Sequence, residues 1–180
     1  IDCGRVEQIN HPDVSPIYFV NIFSFGIFTT TSQHTPKELK HILGRAAYMI
    51  EGFKELKKLH GIPLTITADG DAFYYPTLMG LVFNGETAGR FPIARSASIR
   101  DGLLDCMIMR KCTTFQGAWA ATKLLVAGSE NENIIHIRSS KLSITSPLSP
   151  LTDMDGQPSA EFPLEIECLS GNLRIVAPKK

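Results

Sequence analysis

Two periodicities run through the 180 residues. Most of the chain alternates apolar with polar residues, the repeat of a strand with one buried face. One segment repeats every three or four residues instead, the repeat of a helix. "GRVEQI" (4–9) and "IYFVNIF" (17–23) read as strands around the turn-rich "NHPDVSP" (10–16). Residues 35–61, "TPKELKHILGRAAYMIEGFKELKKLHG", predict one long helix. Leu39, Ile42, Leu43, Ala46, Met49, Ile50, Phe53, Leu56 and Leu59 form its core-facing stripe. Thr35 suits the N-cap, Pro36 the first turn, Glu38 a capping box and Gly61 the stop. Gly44 and Gly52 lie inside it, each costing about 1 kcal/mol against alanine, so close packing is expected there. Lys54, Lys57 and Lys58 crowd the last turn, where the macrodipole favours cations.

Beyond this helix the pattern is β. "PLTITADG" (63–70) alternates, "AFYYPTLMGLVFNG" (72–85) reads as one or two strands, and "LLDCMIMRKC" (103–112) as another. A short helix is expected over "TFQGAWAATKLLVAG" (114–128), with Thr114 as its cap and Gly128 as its stop. "NIIHIRSSKLSIT" (133–145) reads as a hairpin in which Ile135 and Ile137 answer Leu142 and Ile144. "PLEIECLSGNLRIVAP" (163–178) reads as a second, turning at Ser170-Gly171-Asn172. The expected fold is α+β and mostly β: an antiparallel β-sandwich, or a barrel-like core, with one long and one short helix in a single domain spanning 1–180.

Composition narrows this reading without changing it. A chain of this length buries roughly 70% of its unfolded surface in one core. Lys+Arg and Asp+Glu balance at 18 each, which argues against a broad nucleic-acid footprint. Cys3, Cys106, Cys112 and Cys168 fit neither zinc spacing nor a disulfide framework and read as buried free thiols. His11, His34, His41, His60 and His136 are scattered, which disfavours a zinc site. There is no secretory signal, and the longest uncharged run, about 14–33, is too polar and β-branched for a spanning helix. A cytoplasmic protein is expected. The chain begins at Ile1, which reads as a processed or shortened product.

Candidate chemistry gathers in two loops. The sequence contains no phosphate-cradling G-x-x-x-x-G-K-[ST], no G-x-G-x-x-G and no G-x-S-x-G. "TDMDGQP" (152–158) offers Asp153 and Asp155, but an EF-hand register would put Leu151 and Phe162 at the ligating ends, so that reading fails. A tight Asp-Gly turn is the simplest reading, as it is at Asp69-Gly70. "FNGETAGRFPIARSASIRDGLLD" (83–105) carries Arg90, Arg95 and Arg100, which suit anionic oxygens, and then Asp101, which with backbone carbonyls suits a hard cation. An apolar run containing Phe73, Tyr74, Tyr75, Leu78 and Met79 would line an acyl-chain groove or form plain strand core.

Taken in order, "VNIFSFGI", the "FNG…AG…DGLLD" stretch, "DMDGQ" and the closing "RIVAP" resemble the C-terminal domain of the diacylglycerol kinase-like lipid kinases, which include bacterial lipid kinases, sphingosine kinases and ceramide kinases. The resemblance covers nearly the whole chain. It implies a two-domain parent whose ATP-binding half, with a Gly-Gly-Asp-Gly-Thr motif, is not in this sequence. It also implies Mg²⁺-dependent transfer of the γ-phosphoryl of ATP to a lipid hydroxyl, possession of a membrane-borne acceptor and peripheral contact with its membrane. The family's structural Mg²⁺ carries over to the Asp101 carboxylate with the carbonyls of Ser98 and Leu103. The family's general-base glutamate falls on Gln157, an amide that cannot take a proton at neutral pH. Asp153, Asp155 or Glu161 would then substitute, or Gln157 would orient the acceptor hydroxyl.

Two other readings keep the fold. One is a catalytically weak lipid-binding or regulatory homologue, because of Gln157; the other is the related NAD kinase class, which would need nucleotide-recognition motifs not found here. A stand-alone structural sandwich is a third. The acceptor lipid and the oligomeric state are not readable from the residues.

Overall fold

The computed structural model describes residues 1–26, 61–88, 91–113, 115–117, 119–120, 123 and 132–176. The long helix expected over 35–61 lies almost wholly outside them, with Lys54, Lys57 and Lys58; so does Arg90.

Thirteen strands are described: β1 (Cys3–Gln8), β2 (Ile17–Phe19), β3 (Ile22–Gly26), β4 (Ile62–Ala68), β5 (Asp71–Phe83), β6 (Thr87–Ala88), β7 (Phe91–Pro92), β8 (Leu104–Arg110), β9 (Ile134–Ser139), β10 (Lys141–Thr145), β11 (Thr152–Met154), β12 (Gln157–Pro158) and β13 (Leu164–Leu169). All but β6 and β7 join one antiparallel sheet in the order β12-β11-β3-β5-β4-β10-β13-β1-β2, with β8 bonded to β5 and β9 to β8. β6 and β7 form a separate two-stranded ribbon. The expected antiparallel, mostly β architecture is present. The ladder hydrogen bonds, however, run through a single curled sheet of 11 strands, where two separate sheets of a sandwich were expected.

The 13-residue strand β5 organises the curl. Asp71–Thr77 pair with β4, and Met79–Phe83 pair with both β3 and β8, with a register irregularity between Thr77 and Met79. The second half of β5 is therefore central and buried on both faces, which explains why its sequence reads as a continuous apolar run. Val82 belongs to the main core with Phe19, Phe23, Phe25, Leu64, Ile66, Leu142, Ile144, Leu164 and Ile166. Leu81 and Phe83 belong to a second core with Ile93, Ala94, Ala97 and Ala120. β8 splits the same way: Leu104, Cys106 and Ile108 face the main core, and Met107 and Met109 the second. Burial pushes the Cys106 thiol up to about 12. All four cysteines are free, and Cys3, Cys106 and Cys168 are buried as the sequence suggested.

Two turns are of one kind. Asp69-Gly70 joins β4 to β5 with φ of 51° and 91°, and Asp155-Gly156 joins β11 to β12 with φ of 49° and 91°. Two successive left-handed residues are the signature of a two-residue hairpin whose twist matches its strands, and Asp-Gly tolerates both positions.

Several expectations are corrected. "IYFVNIF" is two strands, because the amides of Val20 and Asn21 leave the ladder for the Asp155 carboxylate. β9 and β10 do not form a hairpin with each other; β9 pairs with β8, and β10 with β4 and β13. Ser139, buried at their junction, accepts the Lys141 amide at 3.1 Å and lets the chain step between partners. The stretch after β13 forms no strand over 170–176; it lies against the N-terminus, with Leu173 N–H on Ile1 O at 3.0 Å and the Ile1 amine on Leu173 O at 2.7 Å. Of the short helix, residues 115–117, 119–120 and 123 are described and helical; Thr114, the expected cap, and Gly128, the expected stop, lie outside the described residues, and Thr113 makes capping bonds. Thr113 Oγ1 accepts the Gln116 amide at 3.3 Å while Gln116 Oε1 accepts the Thr113 amide at 3.0 Å, a reciprocal capping box.

Candidate functional site

The "TDMDGQP" hairpin is held by its own aspartates. Asp153, buried, accepts the Gly156 amide on Oδ1 at 2.8 Å and so closes the turn from within. Asp155 reaches outward. Its Oδ2 accepts the Val20 amide at 2.7 Å, and its Oδ1 accepts those of Asn21 at 3.1 Å and Ile22 at 2.8 Å. One carboxylate thus satisfies three successive amides at the entrance to β3, where no neighbouring strand serves them. Gln157, the next residue but one, is exposed at the start of β12. Glu161 is also exposed, and its amide donates to Gln8 Oε1 at 2.9 Å.

From β3 the connections continue into the second loop. Asn21 O accepts the amides of Asn84 and Gly85 at 2.9 and 3.1 Å, and Asn21 Nδ2 donates to Thr87 O at 2.8 Å. A Cβ on Gly85 would meet Asn21 Oδ1 at 2.4 Å, so this approach requires glycine. Fully buried Asn84 donates from Nδ2 to Val20 O at 2.6 Å and to Asp2 O at 3.1 Å, while its Oδ1 is buried without a hydrogen-bond partner. Asp2, also buried, accepts the Gly102 amide on Oδ2 at 2.8 Å and the Gly171 amide on Oδ1 at 2.7 Å. The two loops that the sequence singled out are therefore joined through Val20–Ile22, Asn84 and Asp2. Asp2 carried no sequence signal, because a lone aspartate beside a strand has no motif. Asn21 and Asn84 stood inside quoted stretches without a role.

The Asp101 turn has a different environment. Asp101 Oδ1 accepts the Leu103 amide at 3.1 Å, and Oδ2 accepts Arg138 Nη2 at 2.6 Å. Arg138, on β9, also brings its Nε within 3.4 Å of Asp105 Oδ1. Asp105 is fully buried and takes Ser96 Oγ at 2.9 Å and His136 Nε2 at 2.6 Å on that same oxygen, leaving Oδ2 buried without a partner. Burial raises its pKa, but the bonds from His136 and Ser96 and the charges of His136 and Arg138 outweigh burial and hold it below the usual carboxylate value. Exposed Ser98 accepts the Arg100 amide on Oγ at 3.3 Å. Among the described residues no three His, Cys, Asp or Glu side chains cluster as a metal site. A turn carboxylate with backbone carbonyls fits a hard cation in kind. An entering dication must share Asp101 with a guanidinium already paired to it. Arg95 Nε reaches Pro92 O at 3.5 Å. In the run read as an acyl-chain groove or as plain strand core, Leu78 and Met79 belong to the second core, Tyr74 is exposed, and Tyr75 lies beneath Arg110 with 5.0 Å from guanidinium carbon to ring centre.

Against known proteins, residues 21–177 match the YegS C-terminal NAD kinase beta sandwich-like domain. The chain is 27% identical over 179 residues to a diacylglycerol kinase of Bacillus subtilis (strain 168), covering 98% of this chain and 59% of that protein. It is 28% identical over 180 residues to a diacylglycerol kinase of Staphylococcus aureus (strain Newman), covering 97% of this chain and 56% of that one. The chain thus spans less than two thirds of these relatives. A solved diacylglycerol kinase from Bacillus anthracis str. Sterne superposes with a TM-score of 0.63 at 18% identity over 95% of this chain and 51% of that one, a likeness of fold.

Proposed function

Since the chain belongs to the YegS C-terminal NAD kinase beta sandwich-like domain family, we propose that it is the acceptor-side domain of an ATP-dependent lipid kinase whose nucleotide-binding half lies outside these 180 residues. The observation that carries this reading is the junction of the Asp155 hairpin, the start of β3 and the Asn84 loop through one continuous set of backbone and side-chain bonds. Segments by which the sequence resembles lipid kinases are thereby joined by hydrogen bonds, which is what a wall of a reaction cleft requires.

In this reading Asp155 positions and Gln157 orients. The Asp155 oxygens already accept amide hydrogens, so the carboxylate serves to fix the hairpin against β3. Gln157 presents an amide that donates to and accepts from an acceptor hydroxyl but takes no proton. Phosphoryl transfer depends mainly on positioning and charge neutralisation, so an orienting amide is compatible with turnover. ATP is bound mainly by the other half. A magnesium ion would be held by the Asp101 carboxylate and the carbonyls of Ser98 and Leu103, and would supply charge neutralisation and rigidity at that loop.

Two measurements test this. In the full-length kinase, Gln157→Glu is expected to keep or raise turnover of a diacylglycerol-like acceptor, by up to about 10²-fold where proton transfer limits the rate. Asp155→Ala is expected to lose most of it. A dead Gln157→Glu beside an unaffected Asp155→Ala would reverse the two roles. For the cation, Asp101→Asn is expected to lower the melting temperature more in Mg²⁺ than in EDTA. Equal shifts would leave Asp101 with only its Arg138 pair and its turn. No turnover of any lipid alcohol by the full-length protein with Mg-ATP, while it still binds lipid, would favour the regulatory homologue.

A further inference from the structure

Among its described residues, the helix that follows β8 is packed inside out. Its capping box fixes the start at Thr113, and its described residues place Gly117 and Ala120 against the protein, Ala120 within the second core. The large apolar residues described in it face solvent: Phe115 is 82% exposed and Trp119 59% exposed. A surface helix normally buries its largest apolar side chains and exposes its small and polar ones. Phe115, Trp119 and Lys123 are spaced by four and share one outer face. Lys123 extends its ammonium over the Trp119 ring at 5.7 Å from the centroid.

The surrounding charge selects the occupant. From Arg110 to Lys123 the sequence has three cations, Arg110, Lys111 and Lys123, and no Asp or Glu, within a chain of zero net charge. All three are exposed. An exposed phenylalanine and tryptophan, with Lys123 over the indole and only cations among the charged residues of the stretch, match the boundary between acyl chains and anionic headgroups, where an indole lies with its ring in the apolar layer and its N–H at the wet edge, and lysine extends to phosphate. A second copy of the chain meeting this face symmetrically would set like charges together.

We propose that the Phe115–Trp119–Lys123 face is a membrane-docking surface that seats on anionic phospholipid. The inference rests on the lipid-kinase reading for its partner class, since a water-soluble domain that acts on a bilayer lipid must meet the surface that holds it. Insertion is shallow, two aromatic side chains deep, and the lysine supplies the preference for anionic lipid.

Trp119 is the chain's single tryptophan, so its emission reports this face alone. The chain is titrated with vesicles of phosphatidylcholine, and of phosphatidylcholine mixed with phosphatidylglycerol. The mixed vesicles are expected to shift the emission to shorter wavelength and protect it from an aqueous quencher. Phe115→Ser is expected to weaken partitioning about tenfold. Lys123→Glu is expected to weaken it about fivefold on the mixed vesicles and not on phosphatidylcholine. Circular dichroism and thermal melts of both variants are compared with wild type, and Trp119→Phe followed by co-sedimentation should retain binding. Emission unchanged at saturating lipid, with no co-sedimentation, overturns the proposal. So does a shift that depends on protein concentration without lipid, which identifies a second copy as the occupant. The kinase reading is judged separately, by full-length turnover of a short-chain acceptor dispersed in water, which Phe115→Ser should leave unchanged. Loss of the kinase reading there would leave the vesicle result standing.

Discussion

Asp69 and Asp155 have the same neighbour, the same left-handed backbone and the same turn, yet their side chains do different things. Asp69 accepts one hydroxyl, Ser139 Oγ at 3.0 Å, whereas Asp155 accepts three backbone amides at the distant entrance to β3. Alanine at either site incurs about 1 kcal/mol for the left-handed backbone. Asp155→Ala also strands its amides, and is expected to cost about 1–2 kcal/mol beyond Asp69→Ala in a urea titration. Equal costs would mean that water serves those amides as well as the carboxylate does. The sequence distinguished neither site from the other, because a turn motif specifies its own backbone and says nothing of what lies within reach of the side chain. The same limit hid Asp2 and Arg138, whose partners Gly102, Gly171, Asp101 and Asp105 are remote in the chain.

Periodicity marked the longer strands among the described elements, missed the short β6, β7, β11 and β12, and failed on pairing. Ile135, Ile137, Leu142 and Ile144 alternate as a hairpin would, but alternation reports which face is buried and not which strand lies alongside. A three-strand route through β8, β9 and a step at Ser139 satisfies the same pattern. The register irregularity of β5 between Thr77 and Met79 was equally hidden, and so was the close packing at Gly80. A Cβ there would meet the Phe25 ring at 2.2 Å, and Phe25 in turn stands edge-on to Phe162 at 5.4 Å between centroids. Gly80→Ala is therefore expected to destabilise by about 1–3 kcal/mol through overpacking. Joined to Phe25→Leu it should cost less than the two single changes added, because the shortened side chain vacates the space. Strict additivity in thermal melts would show that the ring moves aside freely. Gly156→Ala makes the opposite test: nothing lies within 4 Å of its Cβ, so any cost there comes from φ of 91° alone.

At the scale of the whole molecule, the chain closes on itself. Ile1 and Leu173 exchange two hydrogen bonds, and Asp2 holds the Asp101-Gly102 loop to the end of β13. The described residues supply two hydrophobic cores with their own side chains, and no helix among them is long and apolar enough to cross a membrane. A chain that fills its cores this way should fold as expressed. The sequence contains neither G-x-x-x-x-G-K-[ST] nor G-x-G-x-x-G, and Asp101 and Asp105 of the second loop are already paired with Arg138 of β9. The purified 180 residues are therefore expected to melt cooperatively and to phosphorylate no lipid with Mg-ATP, while a protein joining them to a nucleotide-binding half does. Radiolabel transfer from ATP to diacylglycerol, measured against a boiled control, decides it. Transfer by the 180 residues alone would require a phosphate site within this sheet and would move the search to the buried, partnerless oxygen of Asn84 and its neighbours at the Asp155 hairpin.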